Sequence, residues 1–240
     1  MRKILLPVLI MILPLMAAAQ IKWDVKIGVG TNLIIANSGE DPCLSYKLGG
    51  GANIPLGKGW QLNPALYYSK KGFGFDGFFG NEQISEARYR VGLHYLELPV
   101  NAGYRISLGK EAGILMYMGP YVAYGLSGKA TVKSTNSSYR HTFKENLFNE
   151  SSDLFNASYN DRQHLVTLPK LKRMEFGIQS GVELDFNRFL FGVDVGYALT
   201  SLANQPLVDN DLYLNIINAL LFARTTPHNV NVQCTIGYRF

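Results

Sequence analysis

Four histidines are the residues best able to do chemistry: His94, His141, His164 and His228. His141 and His164 lie among Ser137, Ser138, Ser151, Ser152 and Ser158. A histidine beside a serine hydroxyl is the pair from which a hydrolase is built. No spacing matches one serine to one histidine, and sharing a stretch of chain is not geometry. His94 is expected on the inward face of a strand-like segment, three residues from Glu97, and reads as part of a filled, hydrogen-bonded interior. No Cys/His cluster has ligand spacing. VDNDL, Val208 to Leu212, has two acids but lacks the calcium-loop pattern. The sequence therefore assigns no catalytic, metal or cofactor-binding residue.

What remains are charges at alternate positions: Lys22, Asp24, Lys26, Lys47, Arg88, Arg90, Glu97, Arg105, Arg173, Glu175, Glu183, Asp185 and Asp194. Each stands on the polar side of a stretch whose other side is apolar. At the C-terminus Val230, Val232, Cys234, Ile236, Tyr238 and Phe240 alternate with Asn229, Asn231, Gln233, Thr235, Gly237 and Arg239. A period of two is that of a strand with unlike faces. It recurs from Trp23 to Leu33, Leu44 to Ile54, Trp60 to Tyr68, Arg88 to Leu108, Ile114 to Leu126, Arg173 to Phe186 and Phe191 to Thr200. That makes eight strands. In the segment from Arg88 to Leu108 the apolar residues change parity, which predicts a β-bulge near Tyr95 and Leu96.

The connections alternate short and long. Short ones follow the second, fourth and sixth strands: Gly57 to Gly59, Gly109 to Gly113, and a turn around Asn187. Long ones follow the first, third, fifth and seventh: Ile35 to Pro42, Gly72 to Ala87, Ser127 to Lys172, and Ser201 to Pro227. Short turns at one end and long loops at the other are the pattern of an outer-membrane barrel. Trp23, Trp60, Tyr68, Tyr104, Phe186, Tyr238 and Phe240 near the strand ends suit interfacial girdles. The fold expected is all-β: an eight-stranded, antiparallel, up-and-down transmembrane β-barrel. Its lumen is just wide enough for side chains, and buried charges there must pair. Arg90, Glu97, Arg105, Arg173, Glu175, Glu183, Asp185 and Asp194 are the expected interior network.

The flanks agree with export. Arg2 and Lys3, an apolar run from Ile4 to Met16, and Ala17 to Ala19 form a secretory leader over residues 1–19, leaving a barrel domain at 20–240. Loss of Arg2 and Lys3 lowers the net charge from +5 to +3. With the last strand beside the first, Cys43 and Cys234 sit two strands apart, about 9.5 Å, and should stay as free thiols. The loop at 127–172 holds Phe143, Leu147, Phe148, Leu154, Phe155 and Tyr159, which need a partner or a fold. The loop at 201–227 and GFGFDGFFG, Gly72 to Gly80, are also apolar.

The leader ending before Gln20, YLELPV at Tyr95 to Val100 and the terminal GYRF at Gly237 to Phe240 together resemble the PorT-like outer-membrane β-barrels of Bacteroidota. The resemblance implies an eight-stranded barrel, a family mostly without assigned biochemical role, and one namesake in type IX protein secretion. No motif here carries that role over. The terminal aromatic resembles the signal read by the barrel-insertion machinery, with Phe240 as the residue. The expected partners are outer-membrane lipid and lipopolysaccharide, that machinery, and an extracellular or periplasmic partner met through the loops. Nothing points to nucleic acid. A structural or binding role is the expectation. A secretion accessory and a lipid A-modifying hydrolase using His94, His141 or His164 are the alternatives.

Overall fold

The computed structural model describes residues 21–240 except 36–40, 82–83, 110, 135–139, 143–145, 150–151, 160–161, 169 and 203–227. The expected leader and most of the expected loop at 201–227 lie outside the described residues. Eleven strands follow in order: β1 (Lys22–Ile35), β2 (Asp41–Gly57), β3 (Trp60–Asn81), β4 (Ile84–Ser107), β5 (Ala112–Ser134), β6 (Arg140–Thr142), β7 (Ser152–Tyr159), β8 (Arg162–Leu168), β9 (Met174–Phe186), β10 (Phe189–Ala198) and β11 (His228–Arg239). Eight of them close a ring, β4-β3-β2-β1-β11-β10-β9-β5, sealed by the β4–β5 pairing. Every pairing is antiparallel. β6 adds to the upper edge of β5, and β7 and β8 form a separate hairpin. Among the described residues no helix is long and apolar enough to cross a membrane.

The short turns gather at one end. Gly57, Lys58 and Gly59 all have positive φ, and Asn187 does so in the two-residue turn between β9 and β10. The start of β1 and the end of β11 lie at this end too, with Asp24 opposite Arg239. In barrels of this kind that end is periplasmic.

Across the lower two thirds the alternation settles which face meets lipid. Val25, Ile27, Val29, Val182, Leu184, Val193, Val195 and Ile236 point outward, while Asp24, Lys47, Glu183, Asp194, Gln233 and Thr235 point inward. Trp60, Tyr104, Phe186, Phe189 and Phe240 ring the lower edge and Tyr68, Tyr124 and Tyr197 the upper. The climb along β11 from Tyr238 to Val230, at ~3.4 Å per residue and a tilt of ~40°, is about 20 Å, near the height of an outer-membrane apolar band.

The expected bulge in β4 is absent, and the reason is informative. β4 keeps one parity throughout: Tyr89, Val91, Leu93, Tyr95, Glu97 and Asn101 are all buried inside. What changes is the solvent. β3, β4 and β5 have 22, 24 and 23 residues, far more than the roughly 9–11 that span a bilayer, so they continue above the upper tyrosines. There the wall meets water, apolar residues turn inward and charged ones outward, as in a soluble barrel. Arg88 and Arg90 are therefore outside, not in the lumen. The register shift falls on β5 instead. His94 pairs with Ser127 but Tyr95 with Gly125, so Leu126 is the extra residue. Above it Gly128, Ala130 and Val132 face in.

The same extension corrects two expected loops. GFGFDGFFG is the upper part of β3, paired with β4 from Gly72 to Phe78, and Phe73 is buried in the core. The stretch 127–172 contains the top of β5 and the β6, β7 and β8 strands. Cys43 and Cys234 are free thiols.

Val193 lies on the middle outward row, level with Val182 on one side and Cys234 on the other. Val193→Arg should cost about 2–4 kcal/mol of stability in lipid. Urea titration of the barrel folded into phospholipid vesicles checks this, with Lys58→Glu in the periplasmic turn as a neutral control.

Candidate functional site

Inside the ring the inward side chains form stacked polar layers. At the periplasmic mouth the Arg105 guanidinium donates from Nε and Nη2 to both oxygens of Asp185, at 2.7 and 2.8 Å. Arg239 joins Asp185 to Glu183, at 3.0 and 3.3 Å. Lys26 reaches Glu183 at 2.5 Å. Asn53 donates to Asp24 at 2.5 Å, and Asn63 donates to Asn53 at 2.5 Å. One step higher, Lys47 pairs with Asp194 at 2.6 Å and lies 5.1 Å from the Tyr67 ring centroid. The Tyr117 hydroxyl donates to Asp194 as well.

The uppermost polar layer is built on Lys71. This lysine is 1% exposed and its ammonium sits between two carboxylates, Glu97 at 2.8 Å and Glu175 at 2.7 Å. The rings of Tyr121 and Tyr95 flank it, 4.6 and 5.4 Å from centroid to ammonium. Tyr121 donates to Glu175 at 2.9 Å, and Asn229 does so at 2.5 Å. Asn32 then links Asn229 to the Gly72 carbonyl, at 3.2 and 2.8 Å. Over the whole lumen Lys26, Lys47, Lys71, Arg105 and Arg239 face Asp24, Glu97, Glu175, Glu183, Asp185 and Asp194, so the charges nearly cancel. A buried charge costs several kcal/mol unless paired and hydrogen-bonded. These layers give every one of those charged groups an opposite charge or a hydrogen bond, with Asp24 Oδ1 and Arg239 Nε the buried charged-group atoms left without a hydrogen bond among the described residues, and they leave little space. A cavity beside Tyr67 offers about 20 Å3 for water centres, room for a water or two.

Above Lys71 the lumen is closed by an apolar plug. Leu147 and Phe148, each 1% exposed, fold in from the segment after β6 and pack with Ile34, Phe73, Leu93, Tyr95, Leu171 and Leu202. Phe148 meets Tyr95 edge-on at 5.6 Å. Gly125 and Gly128 make the seat. A Cβ on Gly125 would come within 2.5 Å of the Phe148 ring, and one on Gly128 within 2.8 Å of Leu93. Asn146 ties the plug to the bulge in β5. Its side chain accepts from Gly128 N–H at 3.0 Å and donates to the Leu126 carbonyl at 3.3 Å, groups the bulge removes from the ladder. It also accepts from Phe148 N–H at 3.2 Å.

The structure gathers Glu97, Glu175, Glu183, Asp185 and Asp194 in the lumen, with Arg105 at its mouth. It does not bring Arg90 or Arg173 there. Arg90 is on the outer wall. Arg173 lies at the upper rim, donating to the Gly125 carbonyl at 3.1 Å and to Asn149, over the Tyr124 ring. Sequence reasoning put Asp24, Lys26 and Lys47 on the inward face without joining them to the network, and missed Lys71. The signal was present: in Lys70-Lys71 one of two adjacent lysines must point in. His94 faces outward, bonded to the Tyr68 hydroxyl at 2.7 Å, not inward beside Glu97. His228 stacks on Tyr197 and bonds the Ala198 carbonyl at 2.8 Å. The side chains of His141 and His164 lie outside the described residues. Phe240 is 70% exposed, packs edge-on against Tyr238 at 5.3 Å, and its N–H donates to the Trp23 carbonyl at 2.8 Å.

A family model described as outer membrane protein beta-barrel domain matches residues 17–204. The chain is similar to a major outer membrane protein from Thermus thermophilus, at 12% identity and a TM-score of 0.45, over 92% of this chain and 99% of that one. It is similar to the outer membrane enzyme PagL, at 13% identity and a TM-score of 0.42, over 90% and 98%. It is also similar to Ail, the attachment invasion locus protein of Yersinia pestis, at 10% identity and a TM-score of 0.37, over 92% and 97%. No curated protein matches the sequence.

Two substitutions test the layers. Lys71→Met strands two carboxylates and should destabilise by about 3–5 kcal/mol. Adding Glu97→Gln and Glu175→Gln should restore most of that, since the penalty is the unpaired charge. Urea unfolding of the three proteins in micelles gives the comparison. Asn146→Ala leaves the bulge groups unsatisfied and should cost about 1–3 kcal/mol. Faster limited proteolysis between β6 and β7, with the barrel core still protected, is the expected readout.

Proposed function

The chain belongs to the outer membrane protein β-barrel domain family and resides in the bacterial outer membrane; from that premise we propose that it is a sealed barrel that binds through its extracellular end, neither a pore nor an enzyme. One observation carries this reading: the lumen is filled twice over, by the paired layers below and by Leu147 and Phe148 above. A strand layer that neutralises itself internally has no charge left to select an ion. The plug in turn fastens the chain between β5 and β9 to the barrel wall. Leu147 N–H donates to the Gly128 carbonyl at 3.0 Å, and Leu171 N–H to the Leu147 carbonyl at 2.8 Å. The β7–β8 hairpin is thereby held on a rigid base at the surface-facing end, where binding residues are disproportionately placed.

We further propose that the chain is one of the PorT-like barrels of Bacteroidota, on the leader ending before Gln20, YLELPV and GYRF, and that Phe240 is its insertion signal. An exposed terminal aromatic on the lipid-facing side of the closing strand suits recognition by an insertion machine. For the hydrolase alternative, His94 and His228 each have Nδ1 engaged, with the Tyr68 hydroxyl and the Ala198 carbonyl, and neither has a serine hydroxyl as the partner of that nitrogen.

Planar-bilayer recording is expected to show no discrete conductance steps for the purified barrel, and steps of porin size would sink the sealed reading. Expression in a heterologous outer membrane should leave the mass spectrum of lipid A unchanged. Loss of an acyl chain there would reverse the non-enzymatic reading.

A further inference from the structure

The outer wall of β3, β4 and β5 changes character just above the upper tyrosines. The outward ladder positions rise from Tyr68, Leu96 and Tyr124 to Lys70 beside His94, then Gly92 beside Lys129, then Arg90 beside Thr131, then Arg88 beside Lys133. Each row climbs about 5 Å along the barrel axis. The cations thus begin at the top of the apolar band and extend through the height of the lipid headgroups. They line an open groove of about 620 Å3. Gly92 forms its floor: a Cβ there would lie 3.6 Å from Lys70 Cε, so its absence leaves the space between Lys70 and Lys129 open.

The charge of this wall is not balanced. Arg88 pairs with Asp41 at 3.6 Å, so its charge is met locally. Lys70, Arg90, Lys129 and Lys133 are in no ion pair with a described residue. This contrasts with the lumen, where each lysine and arginine has a carboxylate. These four cations stand just above the lipid-facing band with no carboxylate partner among the described residues, free to meet an anion at headgroup height.

We propose that this groove binds the phosphate groups of the outer-leaflet glycolipid, with Lys70, Arg90, Lys129 and Lys133 as the groups that hold them. Position selects the source. The groove is on the outside of the ring, continuous with the acyl-facing band below, so a lipid whose chains lie along Val and Leu rows carries its phosphates into it. Lysine stems can lie along the wall with their ammonium groups at headgroup level. A guanidinium fork can hold a phosphate through two hydrogen bonds. The inference goes beyond the sealed-lumen reading and does not depend on it: lipid binding and conductance are separate readouts.

The test uses the folded protein in detergent micelles, titrated with diphosphoryl lipid A and with chemically dephosphorylated lipid A, with bound lipid counted by native mass spectrometry. The quadruple variant Lys70→Gln, Arg90→Gln, Lys129→Gln, Lys133→Gln should lose more than about tenfold in affinity, at about fivefold per surface cation as an upper scale. The control pair Lys58→Gln, Arg188→Gln, in the periplasmic turns, should change it less than about twofold. Dephosphorylated lipid A should bind the wild type as weakly as lipid A binds the quadruple variant. Equal affinity of the wild type and the quadruple variant would overturn the proposal. So would equal binding of the two lipids. Displacement by inorganic phosphate at the same concentration as lipid A would assign the site to a free anion and overturn the lipid assignment. If the quadruple variant does not fold, Arg90→Gln and Lys129→Gln are read singly, and unchanged affinity in both rejects the site.

Discussion

Lipid offers no hydrogen bonds, and that one fact organises this molecule. A sheet in hydrocarbon must have no open edge, so the β4–β5 and β1–β11 ladders close the ring. Eight strands make the ring narrow. Its polar face is then shut away from both lipid and bulk water, and every charge on it needs a partner within the ring. The lumen is therefore not a channel with a lining but a core made of ions. Lys71 shows how strict the condition is. It holds two carboxylates, two aromatic faces and, through Glu175, the amide of Asn229, so five strands, β3, β4, β5, β9 and β11, meet around one ammonium group.

The same condition explains the plug. Polar layers stop at Lys71 because the wall above leaves the membrane. An interior facing neither lipid nor ions is stabilised by apolar burial, which Leu147 and Phe148 supply from a distant segment. The bulge at Leu126 is the adjustment between the two regimes. It moves the inward parity of β5 from the Tyr121 and Ala123 series to the Gly128, Ala130 and Val132 series, and Asn146 takes up the backbone groups it displaces.

How much of this the sequence shows depends on how local the cause is. Ring membership, strand direction and the outward rows follow from period-two alternation and loop lengths, both local, and the structure has them. The inward position of Glu97, Glu175, Glu183, Asp185 and Asp194 follows the same way. Arg90 and His94 went astray because a parity rule assumes one solvent along the whole strand, and Arg173 because it stands in the bend before β9 begins at Met174. The outward face of β4 meets lipid near Leu98 and water near Arg90, and nothing at Arg90 itself announces the boundary. Phe148 was legible as an aromatic in need of burial, but not its site, which depends on Gly125 and Gly128 far along the chain.

The inversion has one more consequence for function. Inside the membrane span the chain spends its charges on itself, since any unpaired charge facing lipid or sealed in the lumen is costly. Above the span water removes that penalty, and unpaired cations on the wall carry little cost. A barrel whose strands stopped at the tyrosine row could hold only loops against the outer leaflet. By carrying β3, β4 and β5 past it, this chain gains a rigid sheet surface at headgroup height, with side chains set at ladder spacing. Strand length, rather than loop sequence, is what makes a fixed arrangement of outward charges possible there.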